Sequence, residues 1–204
     1  MKTPMPNDLT RRRALALGLA GTAAVLLPRA ALALDVAQAR GLIDSVVAEI
    51  NRVISSGQSE SAMLTQFEAL FVRYADVPVI ARSVLGPAGR QANASQMAAF
   101  TQAFQGYISR KYGRRFREFI GGRIDVVGAR PVKSYYEVIT TAFLQGEAPF
   151  EVRFQVSDKS GRLLFFNIII EGVNMLAAER TEIGALLDRQ RGNLDALIAE
   201  LQTI

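Results

Sequence analysis

Carboxylates are the side chains best placed for acid–base chemistry, because the sequence contains no histidine and no cysteine. That composition excludes Ser-His-Asp and Cys-His nucleophile arrangements and zinc sites of the HExxH type. It also excludes disulfides and thiolate metal sites. Asp, Glu, Lys and Tyr remain available for proton transfer. Asp125, Glu137 and Glu171 each stand singly in a strand-like context, and any of them could serve as a buried acid with a raised pKa. Spacing suggests no second acid to pair with them. Glu147 and Glu151 flank a turn and a strand start, where solvent exposure is the simpler reading. P-loop, GxSxG and GxGxxG patterns are absent, and the glycines read as turns and helix stops. No cofactor and no metal are expected.

Five cations crowd the segment Arg110-Lys111-Tyr112-Gly113-Arg114-Arg115-Phe116-Arg117. On a helix, Arg110, Arg114 and Arg117 share the face opposite Tyr112, Phe116 and Phe119. Lys111 and Arg115 fall near the apolar arc, where their stems can cover it while their heads reach water. Such a stripe suits phosphate groups or an acidic partner, and equally a solvated helix face.

Periodicity gives the elements that carry these residues. Val36, Ala39, Ile43, Val46, Val47, Ile50 and Ile54 recur at helical spacing and predict a helix over 35–55. Met63, Leu64, Phe67, Leu70, Phe71 and Tyr74 mark a second helix, capped by Ser59 or Ser61. A short helix follows over 78–85, and Gly86-Pro87-Ala88-Gly89 reads as a loop. Ser95 caps a long helix that reaches Phe119 or Ile120, and Gly121-Gly122 stops it. The period then changes to two. Four strands are predicted, over 123–127, 133–144, 150–157 and 163–171, with short turn-rich links that make an antiparallel meander. Gly128-Ala129-Arg130-Pro131 is one of those links. Helices return over 181–190 and 193–201. The expected fold class is α+β, a curved four-stranded antiparallel sheet packed against helices.

The sheet residues are the informative ones. Phe150, Val152, Phe154 and Val156 fill one face of their strand, with Glu151, Arg153 and Gln155 on the other. The next strand is apolar on both sides: Leu164, Phe166, Ile168 and Ile170 on one, Leu163, Phe165 and Ile169 on the other, interrupted by Asn167. It is either a central strand with core on each face or one whose face borders an apolar cavity. The same residue types serve both.

The N-terminus reads as an export signal. Thr10-Arg11-Arg12-Arg13 precedes an uncharged run from Ala14 to Leu27, then Pro28 and Ala31-Leu32-Ala33. Adjacent arginines, a short apolar core and a small-x-small site suggest a twin-arginine leader, 1–33, cleaved near Ala33. Residues 34–204 then form one domain. The leader holds five of the cations against one carboxylate, so the formal charge of +5 falls to +1 without it. A nearly neutral domain is no nucleic-acid binder.

The segment Ile168-Ile169-Ile170-Glu171-Gly172-Val173-Asn174-Met175-Leu176, with Arg180 beyond it and the tail Asp195-Ala196-Leu197-Ile198-Ala199-Glu200-Leu201, resembles the MlaC family. These are periplasmic phospholipid-binding proteins, auxiliary components of ABC transport also linked to toluene tolerance. Tyr74-Ala75, Val84-Leu85-Gly86 and the helix bearing Phe100 and Phe104 are similar to the family's N-terminal half. Asn174 stands where the family usually has Ser, and Leu163-Leu164 where a Trp is common. The resemblance implies a fold like nuclear transport factor 2, a curved sheet with helices closing a deep pocket. It implies a carrier rather than an enzyme. The carrier would hold phospholipid acyl chains and shuttle lipid between an outer-membrane lipoprotein complex and an inner-membrane ABC transporter complex, supporting outer-membrane lipid asymmetry. On this reading Phe67, Phe71, Phe104, Val138, Phe154, Phe166 and Ile168 contact tails, and Val173 and Met175 line the pocket mouth. Arg110, Arg114 and Arg117 meet head groups or partner subunits. Three rivals stay open: a carrier of another lipid such as a hopanoid, an enzyme with a buried acid in the same kind of pocket, and a structural protein with a filled core.

Overall fold

Asp35 opens the first helix with a reciprocal cap. Its carboxylate accepts from the Gln38 amide at 2.7 Å, and the Gln38 side chain accepts from the Asp35 amide at 3.1 Å. Helix α1 (Val36–Ile54) then buries Ala39, Ile43, Val46 and Val47 at the predicted spacing. The structure, a computed structural model, describes residues 35–113 and 118–204. The expected leader therefore lies outside the described residues, as do Arg114, Arg115, Phe116 and Arg117.

Ser59 caps α2 (Glu60–Tyr74), and Asp76 caps α3 (Val77–Leu85), which carries Pro78 in its first turn. The expected loop after Gly86 contains one short helical turn, α4 (Ala88–Gln91). Helix α5 (Ala94–Gly113) starts at Asn93 rather than Ser95. The Asn93 side chain accepts from the Gln96 amide at 2.9 Å while Gln96 accepts from the Asn93 amide at 3.3 Å. A Gln at the third helical position is what lets Asn93 win over Ser95.

The sheet has five strands in sequential antiparallel order, one more than expected: β1 (Arg123–Val132), β2 (Tyr135–Phe143), β3 (Phe150–Ser157), β4 (Leu164–Ile170) and β5 (Val173–Asn174). The fifth exists because Glu171 and Gly172 both take positive φ and turn the chain back, so Val173 pairs with Ile170. Gly128-Ala129-Arg130-Pro131 is not a link but part of β1. A bulge between Val126 and Gly128 absorbs the irregularity, and the turn falls at Lys133-Ser134 instead. Pro131 is tolerated because β1 is an edge strand.

Asn174 ends β5 and caps α6 (Met175–Arg189), accepting from the Ala177 amide at 3.0 Å. That cap starts the helix six residues before the expected 181. Asn193 caps α7 (Leu194–Leu201). Helices α1, α3 and α6 pack on one face of the sheet, and α5 and α7 join them around a core centred on Phe100, Phe104, Val138, Val156, Ile183 and Leu197, all fully buried. Asn51 of α1 fixes the sheet edge by bonding both backbone groups of Ile124 at 2.9 Å.

Candidate functional site

Register determines which side chains share the helix-facing surface. Val138, Phe154 and Ile168 oppose one another across β2, β3 and β4, and Thr140, Val152 and Ile170 form the next row. Tyr136, Val156 and Phe165 form a third. Thr140 is the polar intruder, and its hydroxyl is satisfied by donating to the Val152 carbonyl at 2.8 Å. Phe165 packs edge-on against Phe154 at 5.5 Å and tilts against Phe71 at 6.4 Å. Phe119 meets Phe150 edge-on at 6.5 Å.

This surface has a closed centre and a looser border. Phe104, Val138 and Phe154 lie in the centre and are buried. Phe71, Tyr74, Phe119, Phe150, Ile168 and Ile170 are only partly buried against the same core. Phe67 belongs to a separate cluster with Val53, Ile54, Met63 and Leu70, between α1 and α2. Ile50, Tyr74 and Phe119 touch both clusters and form the seam between them.

Phe166 lies on the opposite sheet face from the one that strand alternation predicts. A bulge opposite Gln155 and Val156 leaves Phe166 as the extra residue of β4, so Phe165 takes the place beside Phe154. Phe166 instead meets Tyr135 edge-on at 5.5 Å, on the sheet face away from the helices. A strand apolar on both sides hides a bulge from periodicity, because either parity looks acceptable. Val173 is exposed on β5, and Met175 is half-buried at the start of α6. Among the described residues, the structure thus brings Phe71, Phe104, Val138, Phe154 and Ile168 into one core and leaves Phe67, Phe166 and Val173 outside it.

The far face of the sheet carries a polar row. Glu137, Gln155 and Asn167 oppose one another on β2, β3 and β4, and all three are buried. Arg130 donates to Glu137 Oε2 from Nη2 at 2.7 Å and from Nε at 3.0 Å, and Gln155 donates to Oε1 at 3.3 Å. Burial pushes the Glu137 carboxyl up, but the hydrogen bonds from Arg130 and Gln155, with the charges of Arg130 and Arg153, hold it below the ordinary glutamate value. It is an anion fixed by arginine, the opposite of a pocket acid that keeps its proton. Asp125 pairs with Arg123 at 3.0 Å, and Glu171 sits exposed in its turn.

A second charged cluster joins α5 to α6. Lys111 Nζ lies 2.7 Å from Glu179 and also donates to Glu182, while Tyr107 and Tyr112 donate to Glu182 and Glu179. Burial pulls the Lys111 ammonium down, but the hydrogen bonds to Glu179 and Glu182 outweigh it and leave the group above its usual value. Sequence reasoning had no signal for this cluster, since its members are about 70 residues apart and pair only through the fold. A cleft of about 290 Å³ beside it is lined by Tyr107, Arg110, Lys111, Glu182 and Ile204. Arg110 is already engaged, donating to the carbonyl oxygens of Leu201 and Ile204. Arg114 and Arg117 fall outside the described residues. A second cleft, of about 210 Å³, lies between Gly121-Gly122-Arg123 and Phe143-Leu144-Gln145.

No helix among the described residues is long and apolar enough to cross a membrane. The fold is similar to that of a phospholipid-binding protein from Ralstonia solanacearum solved in complex with a phospholipid. The TM-score is 0.69 at 16% sequence identity, over 80% of this chain and 94% of that one. At that identity the likeness establishes the fold. The sequence model of the MlaC family, described as MlaC protein, matches residues 41–203. With most of its length accounted for by that match, this chain belongs to the MlaC family.

Proposed function

We propose that this protein is a periplasmic phospholipid carrier. The observation that carries the reading is the partly covered apolar border of the helix-facing sheet surface. It occurs in an MlaC-family chain whose fold neighbour was solved with a phospholipid. Acyl chains would lie along that border, over Phe71, Phe150, Ile168 and Ile170. Phe104, Val138 and Phe154 would form the floor, and Val173 and Met175 would stand at the mouth. Room for the tails would come from parting the seam at Ile50, Tyr74 and Phe119, where the two apolar clusters meet. The space so opened would be a pocket of the nuclear-transport-factor-2 kind.

The energetics require such a pocket. Each methylene taken from hydrocarbon into water costs about 0.8 kcal/mol. Two tails with roughly thirty methylenes would cost on the order of 20 kcal/mol if exposed. A carrier must therefore supply a dry surface, and it needs neither a catalytic base nor a metal. An enzymatic reading is weaker, because Glu137 is held ionised by Arg130. Export through the N-terminal leader, and exchange with an outer-membrane lipoprotein complex and an inner-membrane ABC transporter complex, complete the proposal. Arg114 and Arg117 would face head groups or those partners, and Arg110 would join them only by leaving the Leu201 and Ile204 carbonyl oxygens.

The test is uptake of a fluorescent phospholipid from vesicles. The wild-type protein should take up the probe, and Phe71→Asp and Ile168→Asp should each lower uptake about tenfold while circular dichroism stays unchanged. Wild-type protein that takes up no probe, or folded variants that take it up normally, would contradict the proposal.

A further inference from the structure

Between Asp76 and Glu118 the sequence holds seven cations and not one carboxylate. Two of the cations are engaged, Arg110 by Leu201 at the end of α7 and by Ile204 beyond it, and Lys111 by α6. Two others, Arg82 in the last turn of α3 and Arg90 in α4, are exposed on either side of the Gly86-Pro87 turn. A third exposed arginine joins them from a distant part of the chain. The Arg180 guanidinium of α6 lies against Gly86, with Nη2 only 3.2 Å from where a Cβ would stand. Gly86 itself takes φ 60° and ψ −129°, a backbone state open to glycine. Among the described residues, none of the three guanidinium groups has a hydrogen-bond or ion-pair partner.

The carboxylates that could neutralise the patch face elsewhere. Glu179 and Glu182 are held by Lys111, Asp76 is buried as the α3 cap, and Asp195 reaches Gln96. The apolar residues of the patch are exposed as well. Val79 sits one turn from Arg82 on the same helix face and is 40% exposed, and Pro78 and Pro87 are exposed beside it. Neither α3 nor α4 contains an aromatic residue, so the patch lacks the aromatic anchors common in protein–protein interfaces. Unpaired arginines interleaved with small apolar side chains suit the head-group layer of a bilayer, where cations meet phosphates and apolar groups enter the boundary.

We propose that the Gly86-Pro87 turn, flanked along the chain by Arg82 and Arg90 and touched by Arg180, is the surface by which this protein lands on an anionic phospholipid bilayer. This goes beyond lipid carriage. A carrier could load and unload only through protein partners, whereas this patch brings it to the membrane surface directly.

The test is co-sedimentation of the full-length protein with vesicles of phosphatidylcholine containing phosphatidylglycerol, and with vesicles of phosphatidylcholine alone. Wild-type protein should bind the anionic vesicles and release in high salt. The triple variant R82E/R90E/R180E should lose at least about tenfold in partitioning, and R82Q/R90Q/R180Q should lose less. The control K133E/K159E/R162E changes the charge equally on exposed turns of the sheet and should bind as wild type. Equal loss in both charge-reversed triples would mean that net charge alone matters, and would overturn the proposal. So would wild-type binding that ignores phosphatidylglycerol. An unaffected R82E/R90E/R180E variant would overturn it too, leaving the patch to an acidic protein surface. Thermal melts check folding of each variant. Co-purified lipid, measured in parallel, should be retained by R82E/R90E/R180E, so failure of landing and failure of lipid carriage give different results.

Discussion

Asn167 donates from Nδ2 to Gln155 Oε1 at 3.0 Å, directly across the β3–β4 pair. The same amide donates to Asn174 Oδ1 at 3.0 Å, and its oxygen accepts from the Leu176 amide at 3.0 Å. One buried side chain thus ties β3, β4, β5 and the start of α6 together. Asn167→Ala would leave the Gln155 oxygen and the Leu176 amide without these partners in a buried site. It should cost about 3 kcal/mol, read as a lower urea midpoint. Asn167→Asp, which keeps the acceptors and loses both donors, should also destabilise. An unchanged midpoint in both variants would remove the amide from this role.

Glu137 and its arginines predict an acid-dependent stability. The folded carboxyl titrates below the ordinary glutamate value of about 4.3. Its contribution is therefore fully present above that value and lost as pH falls through the folded pKa. Glu137→Gln should be about 2 kcal/mol less stable than wild type at pH 7. The gap should close as the pH falls below the ordinary glutamate value and through the folded one. A gap independent of pH would mean that the ion pair contributes nothing.

Lys111 makes the complementary prediction. Its folded pKa lies above the unfolded one, so its contribution is full below about pH 10 and lost only as pH rises through the folded value. Glu182 is shifted the other way: burial pushes it up, but hydrogen bonds from Lys111 and Tyr107 outweigh that and hold it low. Lys111→Met would strand buried Glu179 and should cost about 3 to 5 kcal/mol at pH 7. Equilibrium unfolding should show the difference shrinking in acid, as Glu182 takes up its proton.

Gly122 is needed for close approach. A Cβ there would stand 2.4 Å from the Phe143 carbonyl oxygen, a backbone atom held by the β1–β2 pair. Gly122→Ala should lower thermal stability by several degrees, equivalent to about 2 kcal/mol for a domain of this size. Gly146→Ser is the comparison: Gly146 has open space around it and its cost should come only from its positive φ.

The helices were legible because periodicity and capping residues agree: Asp35, Ser59 and Asn193 stand where the chain begins to wind. The meander was legible from its short links. Two bulges were not. At Val127 and Phe166 the chain inserts an extra residue, and nothing in an alternating pattern marks the slip when both faces are apolar or the edge is exposed. Asn167 was visible as an interruption, yet its meaning depends on lying level with Gln155 and Glu137 on neighbouring strands. The candidate tail contacts were legible as greasy residues, and Phe104, Val138 and Phe154 do meet in the core. Core and pocket draw on the same residue types, so composition could not separate floor from filling. The contact between Gly86 and Arg180 joins two segments that both contributed to the family resemblance, although they are 94 positions apart.

Native mass spectrometry of protein purified without detergent tests the central claim most directly. The account predicts a mass increment of one phospholipid, released on activation and identifiable by its fragments, and reduced in Phe71→Asp and Ile168→Asp. Protein that is consistently lipid-free, and stays so after incubation with phospholipid vesicles, would contradict it.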